Sequence, residues 1–507
     1  MAAFNEDFMH DVPRGVSTRY LKQQSIPQAK WQTPETILKS KALAYDPDRP
    51  GKKILVGAIG KALIGIADDR HIGTIAGSRA GKSLMLIANL FFYQGSVLAT
   101  DPKAELANLT ALKRARLGQK IYILDPFGYT DEKVAGFLAS YNPMAVLSLD
   151  SPTIIEDASL IAEAMVVQAI GQKDLHWDES AKNFIEGIIL YVASDPQFEG
   201  GRNLVTVREL IKQAMLLAPS PEADEEPYYI LEEGMLDSAR HLQKFEGTAD
   251  LGGTIEGSAR DFYDKSDRER DSVLSTVRRH TKFLDYTAMR KILKDHDFDL
   301  ADLKRDPKGV TVYLCFPATR SEISNRWLRM FINQLLDAME REKTVPAAPV
   351  LACLDEFPVL GYMRQLESAI GQIASFHVKL WFILQDWNQG KALYKERWES
   401  FVGNAGIMQF FGNNDLTTTE YISKKLGKTP VEVSRLGEVG TQQQEMGMTG
   451  RSNTIELHDL LTPEEISHLF ARSDRLKRQL VFWAGYHPMI LQRVEYFDQE
   501  DALSPYF

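Results

Sequence analysis

Cysteine is almost missing from this chain. Only Cys315 and Cys353 occur among 507 residues, each inside an apolar run (VYLCF and LACLDEF). Neither a disulfide framework nor a cysteine zinc cluster can be built from them, and a reducing compartment fits. They read as two small buried hydrophobes. Long hydrophobic runs are lacking too. ILVGAIGKALIGIA (54–67) is interrupted by Lys61, and GIILYVAS (187–194) is short. Both fall well below the roughly 20 apolar residues that a membrane-crossing helix needs. The N-terminus, MAAFNEDFMHDVPRG, has no apolar stretch behind a basic start, so no secretory signal is expected and the chain reads as cytoplasmic. No G-x-S-x-G elbow, H-E-x-x-H helix or C-x-x-C pair occurs, which leaves the chemistries of those motifs without support. Internal repeats and low-complexity tracts are absent as well.

The chain has an ordinary globular composition, 44% apolar and 25% charged, which excludes disordered, collagenous and coiled-coil classes. Acidic side chains outnumber basic ones, 69 to 59, for a net charge of −10. That balance argues against a surface that coats nucleic acid all over, but it leaves room for a local basic channel. At roughly 150 residues per domain, the length suggests about three domains or one large core with an insertion.

Residues 1–50 are polar and broken by Pro13, Pro27, Pro34, Pro47 and Pro50; they read as an irregular arm with one short helix after Pro34. A strand-like stretch at 54–66 follows, and then strands and helices alternate. HIGTIAG (71–77) ends in glycine, SLMLIANLFFYQ (83–94) has helical length, SVLAT (96–100) is a buried strand and KIYILDP (120–126) is another. Asp101-Pro102 reads as N-cap and first-turn proline of the helix between them. Strands separated by such helices imply βαβ units and a parallel sheet. From 152 to 305 helical patterns dominate, with an acidic, proline-bearing loop at 219–234. Sheet patterns resume in GVTVYLCF (309–316), PVLACLDEF (349–357), VKLWFILQ (378–385) and IMQFFGNN (407–414). RQLVFWAG (478–485) and PMILQRVEYF (488–497) suggest an edge hairpin. The expected division is an arm at 1–50, a discontinuous α/β domain at 51–151 and 306–507, and an inserted all-α domain at 152–305.

The strongest chemical signal is Ala76-Gly77-Ser78-Arg79-Ala80-Gly81-Lys82-Ser83, between a strand and a helix. It approximates the phosphate-binding pattern G-x-x-x-x-G-K-[ST], in which small residues let consecutive backbone N–H groups close around an anion at a helix N-terminus. Lys82 would reach the β/γ-phosphates and Ser83 would supply a hydroxyl for Mg²⁺. Ala76 stands where the pattern has its first glycine, and Gly77 comes one step later. The second signal is LACLDEF, an apolar strand ending in Asp355 and Glu356. An aspartate there helps hold Mg²⁺ and an adjacent glutamate polarises the attacking water, although Asp-Glu after a strand is also a common helix cap. Third, VKLWFILQ ends at Gln385, which is placed to meet a γ-phosphate or the water; on spacing alone it is equally an ordinary strand end. Asp101, Lys103 and Glu105 lie at another strand tip, where capping explains Asp101 as well as function does. His176, Asp178 and His280 read as packing or surface residues, and Trp381, Trp387 and Trp398 as core.

The loop AGSRAGKS, followed by SVLATDPKAELA, YILDPFG, YNPM, HWDESAKNFIEGIILYVA, RDSVLSTVRRHTKFLD, LDEFPVLG, ILQDWNQ and FFGNNDLTT, resembles the successive landmarks of the type IV secretion coupling proteins. These are TraG-like conjugative DNA-transfer ATPases related to the FtsK-like and HerA-like ring translocases. The resemblance runs from about residue 70 to the C-terminus. It implies a RecA-like P-loop core, a mostly parallel sheet flanked by helices, with an inserted all-α domain. It implies ATP and Mg²⁺ as ligands, bound at the subunit interfaces of a homo-hexamer. Gly77 to Ser83 would then be the ATP loop, Ser83 and Asp355 the metal contacts, and Glu356 and Gln385 the catalytic pair. Arg364 and Arg320 are the candidates for an arginine finger. The implied partners are the channel ATPases or a membrane-anchored protein, a relaxase–DNA complex or effector proteins, and DNA bound without sequence preference. The transmembrane anchor that most such proteins carry at the N-terminus has no counterpart here, so the expected location is cytoplasmic, peripheral on the inner face of the bacterial inner membrane. The alternative is a nucleotide-bound adaptor that recruits protein substrates with little turnover.

Overall fold

The computed structural model describes residues 29–167, 175–220, 226–245, 247–436 and 451–506. Most of the expected arm and residues 221–225 of the stretch expected as an acidic loop lie outside them; the end of that stretch is not a loop but a short strand, Tyr228–Tyr229, running into the helix Ile230–Leu242. Strand-forming segments are β1 (Ile54–Ile59), β2 (Ala62–Ile66), β3 (His71–Ala76), β4 (Val97–Thr100), β5 (Lys120–Leu124), the two-residue β6 (Leu217–Ala218) and β7 (Tyr228–Tyr229), β8 (Val310–Leu314), β9 (Val350–Leu354), β10 (Val378–Leu384), β11 (Ala405–Phe411), β12 (Lys428–Leu436), β13 (Arg451–Asp459), β14 (Arg478–Trp483) and β15 (Met489–Gln492).

One eleven-stranded sheet organises the molecule, in the order β2-β1-β15-β14-β11-β3-β10-β9-β4-β8-β5. From β11 to β5 every neighbouring pair is parallel, whereas β14, β15, β1 and β2 pair antiparallel. The parallel strands are apolar along their length because both sheet faces are covered. Successive residues feed two cores. Leu351 and Cys353 join the core under the helix Lys82–Phe92, and Val350, Ala352 and Leu354 join the core beneath the helix Ser321–Arg341. Cys315 and Cys353 are buried and free, each among hydrophobes.

Between β5 and β8 the described elements are helices apart from the β6–β7 ladder, with Leu175–Ser194 packed against Ile154–Met165, Ala249–Tyr263 and Asp267–Thr281. Phe184 stacks on Phe262 at 3.8 Å within this layer. Trp381, Trp387 and Trp398 are buried, and the last two meet edge to face at 5.6 Å. Among the described residues no helix is long and apolar enough to cross a membrane.

Three local expectations are corrected. The stretch 54–66 is a hairpin, turning at Gly60 with φ +58°. The C-terminal hairpin is not at an edge, because Ala58 of β1 pairs with Gln492 of β15 and β2 takes the outer place. The helix after Asp101-Pro102 begins only at Glu105, with Ala104 in the left-handed region as its cap residue. Asp101 still serves that helix, accepting the Ala107 N–H at 2.8 Å through Oδ2.

Candidate functional site

Parallel strands put their carboxyl ends on one edge, and ligands of open α/β sheets bind outside that edge. The tips of β3, β10 and β9 meet here. From β3 the chain enters the loop 77–81 and then the helix Lys82–Phe92. Two residues of this turn have left-handed backbones, Arg79 at φ 56° and Gly81 at φ 101°. Gly77 is required by proximity: a Cβ there would lie 1.9 Å from the Gly412 carbonyl oxygen, and its N–H donates to Phe411 O at 3.1 Å. The displaced glycine of the motif therefore has a steric cause, a loop pressed against the segment that follows β11. Asn89 anchors the helix to β1, accepting from Leu55 N at 2.8 Å and donating to Leu55 O at 2.9 Å. The buried Arg114 guanidinium caps the helix's far end, donating to Leu90 O, Tyr93 O and Gly95 O.

Lys82 points at the acidic pair. Its Nζ lies 4.0 Å from Glu356 Oε1, with only 11% of the lysine side chain exposed. Burial pulls the Lys82 ammonium below its ordinary pKa, while Glu356 and Asp355 push the other way. Glu356 sits at φ 55°, a conformation that costs a residue with a side chain roughly 1–3 kcal/mol and recurs at functional sites. Gln385, at the tip of β10, donates through Nε2 to both Glu356 oxygens, at 3.2 and 3.3 Å. Because β10 lies between β3 and β9, the acidic strand is one strand removed from the phosphate loop, and Gln385 fills the intervening place.

Asp355 is raised to about 6, first by burial and then by the Glu356 charge. Its Oδ1 is shut off from solvent without a hydrogen-bond partner, which is what a carboxylate awaiting a cation or its water presents. Its carbonyl accepts from Thr100 Oγ1 at 2.8 Å, tying the tips of β9 and β4 together. Asp101, next along, is raised to about 7 by burial, with Asp355 and Glu105 adding to it. The loop 77–81, Lys82, Ser83, Asp355, Glu356 and Gln385 thus share one edge of the sheet, and the donor set of hydroxyl, carboxylates and backbone N–H groups fits a magnesium-bound triphosphate.

The finger candidates lie elsewhere: Arg320 covers the Phe127 ring at 5.1 Å and Arg364 is exposed at the start of its helix. In the helical layer, His280 Nε2 meets Asp178 Oδ1 at 3.2 Å, and burial lowers the His280 ring to about 4. His176 pairs with Glu269 on the surface at 3.3 Å. Sequence reasoning missed two parts of the site, the Gly412 wall and Arg493, whose Nη1 donates to Ala80 O at 2.8 Å. A glycine after an apolar strand hinted at the first. No local pattern connects Arg493 with a loop more than 400 residues earlier.

Conjugal transfer protein TraG of Escherichia coli is 25% identical over 409 residues, which cover 78% of this chain and 61% of the relative. The chain therefore spans about three fifths of that protein's length. The bacterial conjugative coupling protein TrwBΔN70 superposes with a TM-score of 0.62 at 14% identity, covering 93% of this chain and 94% of the other. TrwB has also been solved with ADP and Mg²⁺, and that structure superposes with a TM-score of 0.58 at 13% identity, covering 93% of this chain and 96% of the other. The fold is accordingly the RecA-like P-loop architecture, with its mostly parallel sheet flanked by helices. The family described as Type IV secretory system Conjugative DNA transfer matches residues 19–506, and the chain belongs to it.

Proposed function

We propose that this chain binds ATP in the loop 76–83 and hydrolyses it as the motor of a coupling protein. In this reading it recruits relaxase-bound single-stranded DNA, effector protein or both, and helps move them into a type IV secretion channel. The observation that carries the reading is the convergence of Lys82, Glu356 and Gln385 from three strand tips. The Mg²⁺ and ADP bound by TrwB support the same ligand class.

Each residue has a task. The backbone N–H groups of Ser78, Arg79, Gly81, Lys82 and Ser83 bind the β-phosphate, and Lys82 neutralises charge as the γ-phosphoryl group separates. Ser83 and Asp355 would hold Mg²⁺, which when bound withdraws charge from the phosphate oxygens. Glu356 accepts the proton of the attacking water, and Gln385 orients the Glu356 carboxylate by donating to both of its oxygens. A base of this kind supplies about 10²–10⁴ in rate. An arginine from a neighbouring subunit of a ring is assigned the role of the cation on the leaving-group side. Segment 152–305 is assigned as an inserted domain between 51–151 and 306–507, with the segment before 51 as an arm. Docking to a membrane-anchored partner would place the assembly on the inner membrane face.

Phosphate release with and without single-stranded DNA tests the motor. Stimulated turnover that Lys82→Ala abolishes is expected. Tight ATP binding with negligible turnover under both conditions would replace the motor with the adaptor.

A further inference from the structure

The cradle of a phosphate loop works only if its peptide planes are turned so that N–H groups face the anion. A peptide unit is rigid and planar, with C=O and N–H on opposite sides. Fixing the Ala80 carbonyl outward therefore fixes the Gly81 N–H inward. The Ala80 carbonyl belongs to a residue only 5% exposed, so it needs a donor from the protein. Arg493 is that donor: its Nη1 lies 2.8 Å from Ala80 O, and Arg493 is itself only 9% exposed.

The guanidinium is held from behind. Nη2 donates to Arg472 O at 3.4 Å and Nε to Lys477 O at 3.3 Å, and the Arg493 backbone N–H donates to Lys477 O at 2.8 Å. Its Cζ lies 5.4 Å from the centre of the Phe411 ring, and the Phe411 carbonyl accepts the Gly77 N–H. Arg493, just past the end of β15, thus grips the phosphate loop at Ala80 and rests on the strand that grips it at Gly77. A cleft of about 290 Å³ opens beside it, lined in part by Arg79, Arg472 and Arg475.

We infer that Arg493 is a positioning residue of the nucleotide site, holding the Ala80–Gly81 peptide plane so that the Gly81 N–H stays aimed at a bound phosphate. The inference rests on the ATP reading above and adds to it a residue from the far end of the chain. Its action is on the cradle and not on the reacting atoms, so it governs affinity for the polyphosphate and leaves the chemical step alone.

The test is calorimetric titration of the full chain with inorganic tripolyphosphate and, separately, with ATP and Mg²⁺. Losing one oriented hydrogen bond should weaken both ligands about tenfold in Arg493→Met. KM should rise in step, kcat should stay within about threefold, and the native melting transition should persist. Arg493→Lys, which keeps a donor for the carbonyl, should restore most of the affinity. Arg475→Ala, which removes an exposed cation of the same cleft without touching the loop, should leave both affinities within about threefold. If the methionine variant does not fold, Arg493→Gln, with its shorter reach, carries the same expected loss. Unchanged tripolyphosphate binding in a folded Arg493 variant overturns the inference, as does an equal loss in Arg475→Ala, which would make the effect one of bulk charge. The two readings fail separately: Lys82→Ala with wild-type ATP binding sinks the nucleotide site itself, whereas loss in Lys82→Ala beside full binding in Arg493→Met sinks only the positioning role.

Discussion

Replacing Glu356 with glutamine separates binding from chemistry, and the structure sets the size of both effects. The substitution keeps the shape of the side chain and an oxygen for Gln385 to donate to, but it removes the charge and the proton acceptor. Loss of a general base at this place should lower turnover by about 10²–10⁴. Nucleotide affinity should move the other way. Glu356 Oε1 lies 4.0 Å from Lys82 Nζ, where two unit charges interact by at most about 4 kcal/mol at an effective dielectric constant of 20. Because Glu356 is 30% exposed and already shared with Gln385, solvent and hydrogen bonding reduce the recoverable part to about 1 kcal/mol. Freed of that partner, Lys82 binds the phosphates about fivefold more tightly. Steady-state phosphate release with a fluorescent-nucleotide titration reads both quantities on one sample. Turnover within threefold of the parent, or loss of nucleotide binding, would refute the assignment of Glu356 as base.

Other outcomes follow from the same geometry. Gly77→Ala puts a methyl group 1.9 Å from Gly412 O; relieving that overlap costs about 1–3 kcal/mol, and both melting temperature and ATP affinity should fall. Arg114→Met leaves the Leu90 and Tyr93 carbonyls buried without this donor, while Gly95 O keeps Gln119 at 3.2 Å; two orphaned carbonyls should lower unfolding free energy by roughly 3–5 kcal/mol, read by chemical denaturation. Asp101 is raised by burial to about 7, so its contribution to stability is complete below the ordinary carboxylate pKa and is lost as pH rises through about 7. Asp101→Asn should therefore melt above the parent at pH 8 and level with it at pH 4, in calorimetry without nucleotide.

Much of the site was legible because its parts are local. An apolar run, a glycine-rich turn with Lys82-Ser83 and a helix are contiguous, and the tips of β9 and β10 announce themselves as polar residues ending buried strands. Their spatial order was not legible. Chain order puts β9 before β10, but only the pairing of Trp381 with both Ile72 and Cys353 shows that β10 separates the acidic strand from the loop. Long-range pairing hid the rest. The β1–β2 hairpin displaces the C-terminal hairpin from the edge through a single register, Ala58 with Gln492. The β12–β13 ladder, nine residues on each side, has no clear sequence signature because its strands mix charge with β-branched residues and never build a long apolar run. Arg493 was hidden for the same reason as Gly412: each acts on a loop far away in the chain, and a single sequence carries no record of that contact.

The central claim is that a triphosphate lodges between the loop 76–83 and the pair Asp355–Glu356. Calorimetric titration with ATP and Mg²⁺, run on the parent chain and on Lys82→Ala, tests it most directly. The account predicts saturable binding by the parent that Lys82→Ala abolishes or weakens by at least about a hundredfold, as expected when a buried cation is taken from a phosphate. Equal binding by the two proteins, or no uptake by the parent, would contradict it.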